Sequence, residues 1–380
     1  MKKIIIDAGF GDSGKGIVTD WLCSSASKPA LVVRHSGGHQ CGHTVVDGKF
    51  RHVFSNFGSG SFRGVPTWWS RFCTVEPRGF MNELEILTAK GVDPEIYIDA
   101  RCPVTTPYDI VANQHRHRLT YHGSCGVGFG ATMQREEDFY SLVFCDLYFP
   151  DILQEKLRNI RNYYRVQGVD VDSVCEENFL ASCADMVNAS NIKKEHPSRI
   201  QDYIFEGSQG LLLDQHFGFF PHVTRSNTGT KNALDLLTRD FNQFYCLDEI
   251  YLVTRAYQTR HGAGWMSNQH ITHKILENPN ETNKDHKYQG TFRRTLLDVT
   301  LLEYAINRDK CIQDSDNKRL VLTCLDHIVD DGYRFTYRGE LITSSCENEF
   351  VGKISEILEI KDVFLSHSED SKNITQWKNK

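Results

Sequence analysis

"KKIIIDAGFGDSGKGIVTDWL", residues 2–22, decides the fold. A charged start gives way to Ile4–Ile6, an apolar, β-branched run of the kind that forms a strand buried in a parallel sheet. Glycines at 9, 11, 14 and 16 then make a turn, after which Ile17, Val18, Trp21 and Leu22 recur at helical spacing. Strand, glycine turn and helix in that order aim backbone N–H groups and a helix N-terminus at phosphate oxygens, and Lys15 adds a point charge. The stretch almost spells the phosphate-binding pattern G-x-x-x-x-G-K-[ST], but Gly16 stands where that pattern has its metal-binding hydroxyl. Only Asp12 and Ser13 offer a nearby side-chain oxygen. The alternative reading is a glycine-rich turn before an ordinary amphipathic helix.

Working outward, strand patterns recur at 30–37, 95–99, 202–207, 250–257, 319–326 and 362–368. Helical patterns lie between them, among them 78–91, 151–166 and 296–308, and residues 333–342 read as a hairpin turned by Arg338 and Gly339. Such alternation predicts an α/β fold: a mostly parallel central sheet flanked by helices, with a P-loop-like glycine loop after the first strand. No repeat, low-complexity tract or linker composition divides the chain, so residues 1–380 are expected to form one domain. Ligands of such sheets sit beyond the carboxyl ends of the strands. The loops at 9–16, 36–44, 206–210 and 326–331 all follow strand patterns and are expected to converge there.

The net charge of −6 over 380 residues argues against a general nucleic-acid or membrane-surface partner. Twelve cysteines without a C-x-x-C pair suggest neither a zinc ribbon nor a disulfide framework, but reduced thiols in a cytoplasmic protein. No leader pattern or membrane-length apolar run is present, so a soluble protein is expected.

Several segments carry chemistry. "SGGHQCGHT" (36–44) spaces His39 and His43 by four around Cys41, open to three readings: a metal site, a turn histidine, or an acid/base or phosphate-contacting histidine. "HGSCGVGFGAT" (122–132) lets backbone approach a ligand, with Ser124 as side-chain donor, or is simply a surface loop. In "FEGSQGLLLD" (205–214) and "PHVTRSNTGT" (221–230), Gln209, Thr224, Asn227 and Thr228 suit a base edge or a phosphate, and equally suit turns and caps. "YQGTFRRTLLD" (288–298) sets two arginines beside an expected helix start, a fork for a carboxylate or a solvated pair. "TCLD" (323–326) ends a strand with a carboxylate that suits a nucleobase.

The order GDSGKG, GGHQCGHT, GSCGVGFG, FEGSQG, VTRSNT, RAYQTRHGAG, QGTFRRT, LTCLD resembles the adenylosuccinate synthetase family across nearly the whole chain. There the segments read GDEGKG, GGHNAGHT, a GTTGRG-type loop, FEGAQG, VTSSNT, KAYxTRVGxGPFPTE, TGRxRRxGW and TKLD. The resemblance implies a homodimeric ligase joining a purine nucleotide to L-aspartate with a nucleoside triphosphate and Mg²⁺. It implies Asp12 as the base for the purine N1 proton, His43 as the acid beside O6, and Asp12 with the Gly42 carbonyl as Mg²⁺ ligands. It further assigns Ser13, Gln40, Ser124, Cys125, Gln209 and Thr224 to the substrate nucleotide, and Gly14, Lys15, Gly16, Thr44, Asp326 and Ser366 to the triphosphate. Thr291 and Arg293 fall to L-aspartate.

The departures are specific. Ser13 replaces the family's glutamate, Cys324 the lysine of TKLD, and "SHS" (366–368) the usual STG. Thr291 and Phe292 stand in place of arginines, Val127 replaces the GRG arginine, and the arginine that reaches the partner's nucleotide is missing. Arg116, Arg118, Arg135 and Arg225 are candidate replacements. With guanine recognition altered, ATP or dATP is the expected donor. The pattern is similar to the viral and archaeal branch that joins dGMP to L-aspartate, giving N6-succino-2-amino-2'-deoxyadenylate for DNA containing 2-aminoadenine; a viral member would work in the host cytoplasm. Members of the viral branch can carry serine at the base position itself, whereas here Asp12 remains. The alternatives are an ordinary synthetase using IMP and GTP, and a nucleotide-binding regulator without turnover.

Overall fold

The isoleucine run becomes the centre of a ten-stranded sheet. The computed structural model describes every residue except 49, 121, 122, 198, 330, 331, 379 and 380, and describes no side chains at 117–120. His122, the end of the 326–331 loop and the Arg118 side chain therefore lie outside the described residues. The sheet comprises β1 (Lys2–Asp7), β2 (Ala30–Arg34), β3 (Thr67–Trp69), β4 (Ile96–Ile98), β5 (Ile192–Lys193), β6 (Asp202–Gly210), β7 (Glu249–Arg255), β8 (Lys318–Thr323), β9 (Asp362–Leu365) and β10 (Thr375–Gln376). Their spatial order is β10-β9-β8-β7-β1-β6-β2-β3-β4-β5. All neighbours run parallel except the edge pair β9 and β10.

Ten helices are described: α1 (Lys15–Ser24), α2 (Pro77–Ala89), α3 (Pro107–Thr120), α4 (Phe129–Glu137), α5 (Pro150–Arg165), α6 (Glu176–Asn188), α7 (Lys231–Arg239), α8 (Val299–Arg308), α9 (Lys310–Gln313) and α10 (Glu347–Leu358). Successive strand side chains point to opposite faces. Accordingly Ile4 and Ile6 pack with residues of α7, α8 and α10, while Ile5 packs with Val18 and Leu22 of α1. A further core gathers α2 to α6 around the β3–β4 end of the sheet. No helix among the described residues is long and apolar enough to cross a membrane.

One expectation fails locally. Residues 296–298 do not begin the helix expected over 296–308: they end the strand Phe292–Asp298, which pairs antiparallel with Tyr257–His261 in a four-stranded sheet completed by the hairpin Arg334–Tyr337 and Glu340–Thr343. The apolar residues Leu296 and Leu297 fit either period, and cross-strand pairing outweighs helix propensity here. The helix starts only at Val299, where Asp298 caps it by accepting from Thr300 N at 3.1 Å.

Two buried charge clusters brace this frame. Arg135, one of the candidate phosphate-binding arginines, is instead fully buried in the α3–α5 core. Its Nε donates to Asp109 Oδ1 at 2.9 Å and its Nη2 to Val104 O at 2.8 Å, and Tyr164 OH donates to the same carboxylate at 2.6 Å. At the carboxyl side of β6, buried Glu206 accepts from Ser59 N at 3.1 Å and from the Ser59 hydroxyl, with Arg34 Nη1 at 3.8 Å. Burial alone would raise the Glu206 carboxyl, but His43, Arg34 and Ser59 outweigh it and hold it at about 2.

Arg135→Met leaves Asp109 buried and uncompensated, so it should cost about 3–5 kcal/mol of unfolding free energy in urea titrations while nucleotide affinity stays unchanged. Because Glu206 is depressed in the folded protein, its contribution is fully present above the ordinary glutamate range. The stability gap between the parent and Glu206→Gln should therefore narrow as pH falls from about 4.5 toward about 2, read as urea midpoints across that window.

Candidate active site

The glycine loop is folded around a residue that sequence reading passed over. Asp7, the last residue of β1 and fully buried, accepts from Gly9 N at 2.8 Å and Gly11 N at 3.2 Å through Oδ1. Its Oδ2 accepts from Ser13 N at 3.1 Å and from Lys15 Nζ at 3.4 Å. Gly11 and Gly14 adopt φ of 98° and 91°, and between them Asp12 is forced to φ 64°, a region few non-glycine residues visit. Thr323, ending β8, donates to Ser13 O at 2.8 Å, and Thr259 donates to Gly11 O at 3.3 Å. The loop is thus tied to β1, β8 and the smaller sheet, and the Asp12 carboxylate is presented to a cavity of about 850 Å³. Burial raises the Asp12 carboxyl above its ordinary value, opposed by His261, Arg255 and Lys15.

Across the loop stands His43. Its Nδ1 lies 2.7 Å from Glu206 Oε1, so the buried carboxylate fixes the ring and leaves Nε2 to face elsewhere. Burial lowers the imidazole from its usual range, with Glu206 pulling it back up. Glycine is required beside it: a Cβ on Gly16 would come within 2.9 Å of the His43 Cβ. This close contact between α1 and the His43 strand accounts for glycine at the position where the phosphate-loop pattern has a hydroxyl.

On the third side, Arg255 Nε donates to Asp12 O at 2.6 Å, and its Nη1 donates to Tyr257 OH and Glu281 Oε2, each at 2.8 Å. Tyr257 OH lies 2.8 Å from His327 Nδ1. His261 Nε2 lies 3.5 Å from Asp12 Oδ2. Residues 276–283 close this side, joined by Arg51, which donates to Asn280 O at 2.7 Å and pairs with Glu369.

Of the residues singled out in the sequence, Asp12, Ser13, Gly14, Lys15, Gly16, Gln40, Gly42, His43, Thr44, Ser124, Cys125, Gln209, Thr224 and Asp326 all line this one cavity. Two of them are poised for a ligand. Both amide atoms of Gln40 and the Gln209 carbonyl oxygen are buried without a hydrogen-bond partner. Ser124 Oγ accepts from Asn113 Nδ2 at 2.9 Å, and burial pushes the Cys125 thiol up to about 12.

Three of the candidates do not reach the cavity wall. Ser366 is buried and donates to Ser368 O at 2.9 Å; Ser368 lines the cavity instead. Thr291 is exposed at the start of the strand, where its carbonyl accepts from Gly262 N at 3.1 Å. Arg293 turns to the 264–269 segment, donating to Gly264 O at 2.5 Å and Gln269 Oε1 at 3.1 Å. Strand geometry explains both, since the run expected to be a loop before a helix is paired along its length. Of the remaining candidate arginines, Arg116 and Arg225 line the cavity, Arg225 pairing with Glu137 at 2.9 Å, and Arg260, which the sequence reading did not choose, joins them. Arg260 donates to His222 O at 3.0 Å and lies 4.2 Å over Phe10.

A family model described as adenylosuccinate synthetase matches residues 4–378. Adenylosuccinate synthetase of Neisseria meningitidis (strain FAM18) is 31% identical over 281 residues, covering 69% of this chain and 63% of that protein. Adenylosuccinate synthetase of Coxiella burnetii is 30% identical over 286 residues, covering 70% and 63%. The chain thus spans just under two thirds of the length of the curated relatives it matches. The fully ligated adenylosuccinate synthetase of Plasmodium falciparum shares the fold, with TM-score 0.73 and 18% identity over 99% of this chain and all of that one. Cyanophage S-2L succinoaminodeoxyadenylate synthetase bound to dGMP and dATP as an energy donor also shares it, with TM-score 0.62 and 13% identity over 98% of this chain and 94% of that one. With the family model covering nearly all of its length, the chain belongs to the adenylosuccinate synthetase family.

Proposed function

We propose that this chain is a carbon–nitrogen ligase that joins dGMP to L-aspartate, driven by ATP or dATP, and that it works as a homodimer of single-domain subunits. The observation that carries the reading is the meeting, in one cavity, of a lysine-bearing glycine loop, the raised Asp12 carboxylate, the unpartnered Gln40 amide and the unpartnered Gln209 carbonyl oxygen. Buried polar atoms without partners are costly, and a purine nucleotide supplies the donors and acceptors they lack.

In this reading Asp12 takes the N1 proton of the 6-oxopurine, and the electron pair moves to O6. O6 attacks the γ-phosphorus of the triphosphate, whose β–γ bridging bond breaks to release the diphosphate. The loop N–H groups and Lys15 steady the transferring oxygens. The aspartate amine then adds at C6 and inorganic phosphate leaves with O6, His43 supplying a hydrogen bond to that oxygen. Arg260 is the cavity cation we assign to an aspartate carboxylate, because its hydrogen bonds go to carbonyl oxygens. Mg²⁺ fits the donor set here. No three-residue metal cluster occurs among the described residues, but Mg²⁺ binds through one or two carboxylates plus phosphates and water. Asp12, with its side chain 31% exposed to the cavity, and Gly42 would hold it. When bound, the ion would neutralise charge on the transferring phosphoryl group.

Ser13, buried against the loop where the family has glutamate, and Cys324 in place of the lysine of TKLD support dGMP and an adenine donor. A second reading, IMP with GTP, is supported by the ordinary bacterial synthetases among the relatives. A substrate matrix separates them: dGMP or IMP with ATP, dATP or GTP, plus L-aspartate and Mg²⁺, analysed by mass. Succinylated dGMP formed with ATP or dATP is the expected product, and succinylated IMP formed with GTP alone would replace this reading by the second. Asp12→Ala should lower kcat by at least about 10³-fold, and chelation of Mg²⁺ should abolish turnover reversibly. Unchanged phosphate release in Asp12→Ala would remove the base assignment.

A further inference from the structure

The Asp12 carboxylate has a neighbour that the family pattern does not provide. Position 261 is valine in KAYxTRVGxG and histidine here. Among the described residues, the contact of His261 Nε2 with Oδ2 at 3.5 Å is the only close ion pair of the Asp12 side chain. Lys15, the cation a phosphate loop would offer, is turned to Asp7, and Arg255 holds the Asp12 main chain rather than its carboxylate. Left alone, the carboxylate would be free to swing about its side-chain torsions.

His261 itself is firmly seated. It faces Phe292 across the antiparallel pair, with ring centroids 4.7 Å apart, and its side chain is 9% exposed. Its other nitrogen, Nδ1, is buried and has no hydrogen-bond partner. In a neutral ring the proton then belongs on Nε2, facing Asp12, because a bare buried Nδ1 costs less than a buried N–H with no acceptor.

We propose that His261, seated on Phe292, is a positioning residue that aims the Asp12 carboxylate at the nucleotide base; this rests on Asp12 being the base in the reading above. Catalytic contacts are often long without substrate and tighten in the complex, as 3.5 Å would here. A misplacement of about 1 Å costs on the order of 10²-fold in rate.

The test has two arms. In steady-state kinetics on the preferred 6-oxopurine nucleotide, His261→Val should lower kcat about 10- to 100-fold with nucleotide KM within about threefold, and His261→Gln, which keeps a donor, should recover most of it. Phe292→Ala should lower kcat in the parent but add nothing in His261→Val. Unchanged kcat in His261→Val, a rise in KM alone, or an equal cost of Phe292→Ala in both backgrounds would overturn the proposal. The second arm needs no turnover: ¹⁵N-histidine NMR should show His261 with its proton on Nε2, its signal moving in Asp12→Asn and broadening in Phe292→Ala. A proton on Nδ1, or a signal indifferent to Asp12→Asn, would overturn it. A parent protein without turnover would defeat the ligase reading while the NMR arm still decides the contact.

Discussion

The candidate site depends on one carboxylate that never meets the cavity's contents. Asp7 gathers three loop amides and the Lys15 ammonium, and thereby fixes the path of residues 9–15. A charged acceptor holding several N–H groups is among the stronger arrangements available to a protein. Here it supports a strained segment, because Asp12 adopts φ 64° without the freedom of glycine. That conformation turns the Asp12 carboxylate toward the cavity and its carbonyl toward Arg255. Lys15 is shared in the same arrangement; in the proposed reaction a phosphate at the loop would compete with Asp7 for it.

A second buried carboxylate, Glu206, does the same for His43 from the opposite side. Asp7 and Glu206 sit on adjacent parallel strands, β1 and β6, so the Asp12 loop and His43 are held by one part of the sheet. The carboxyl ends of parallel strands are where such folds collect ligand loops, and this protein places its groups accordingly. Residues 276–283, joined by Arg51 and Arg255, form the facing wall.

Much of the frame was legible in the sequence, because isoleucine-rich runs bounded by glycine leave few alternatives to buried parallel strands. The cavity lining was legible for the same reason: Asp12, Gln40, His43 and Gln209 lie in loops that directly follow strands, and topology brings those loops together. The misread residues were 296–298, where Leu296 and Leu297 satisfy a helical and a strand period alike and only the pairing with 257–261 decides. Thr291 and Arg293 came instead from the family resemblance, and neither lines the cavity. Arg135 was misplaced for another reason: nothing local tells a buried arginine from a ligand-facing one until Asp109 and Tyr164 are brought to it. Asp7, Glu206 and His261 were missed although each stood inside a quoted motif. Their signal was present: Asp7 is a charge ending an apolar strand, Glu206 is a carboxylate inside one, and His261 replaces a family valine.

In the proposed reaction the purine O6 becomes the nucleophile that takes the phosphoryl group. Labelling that oxygen with ¹⁸O in dGMP, and following it through turnover with L-aspartate and ATP, tests this most directly. The label is expected to leave the nucleotide and appear in inorganic phosphate, one labelled oxygen for each succinylated product. Unlabelled phosphate formed at the rate of the product, with the ¹⁸O lost to water, would contradict it.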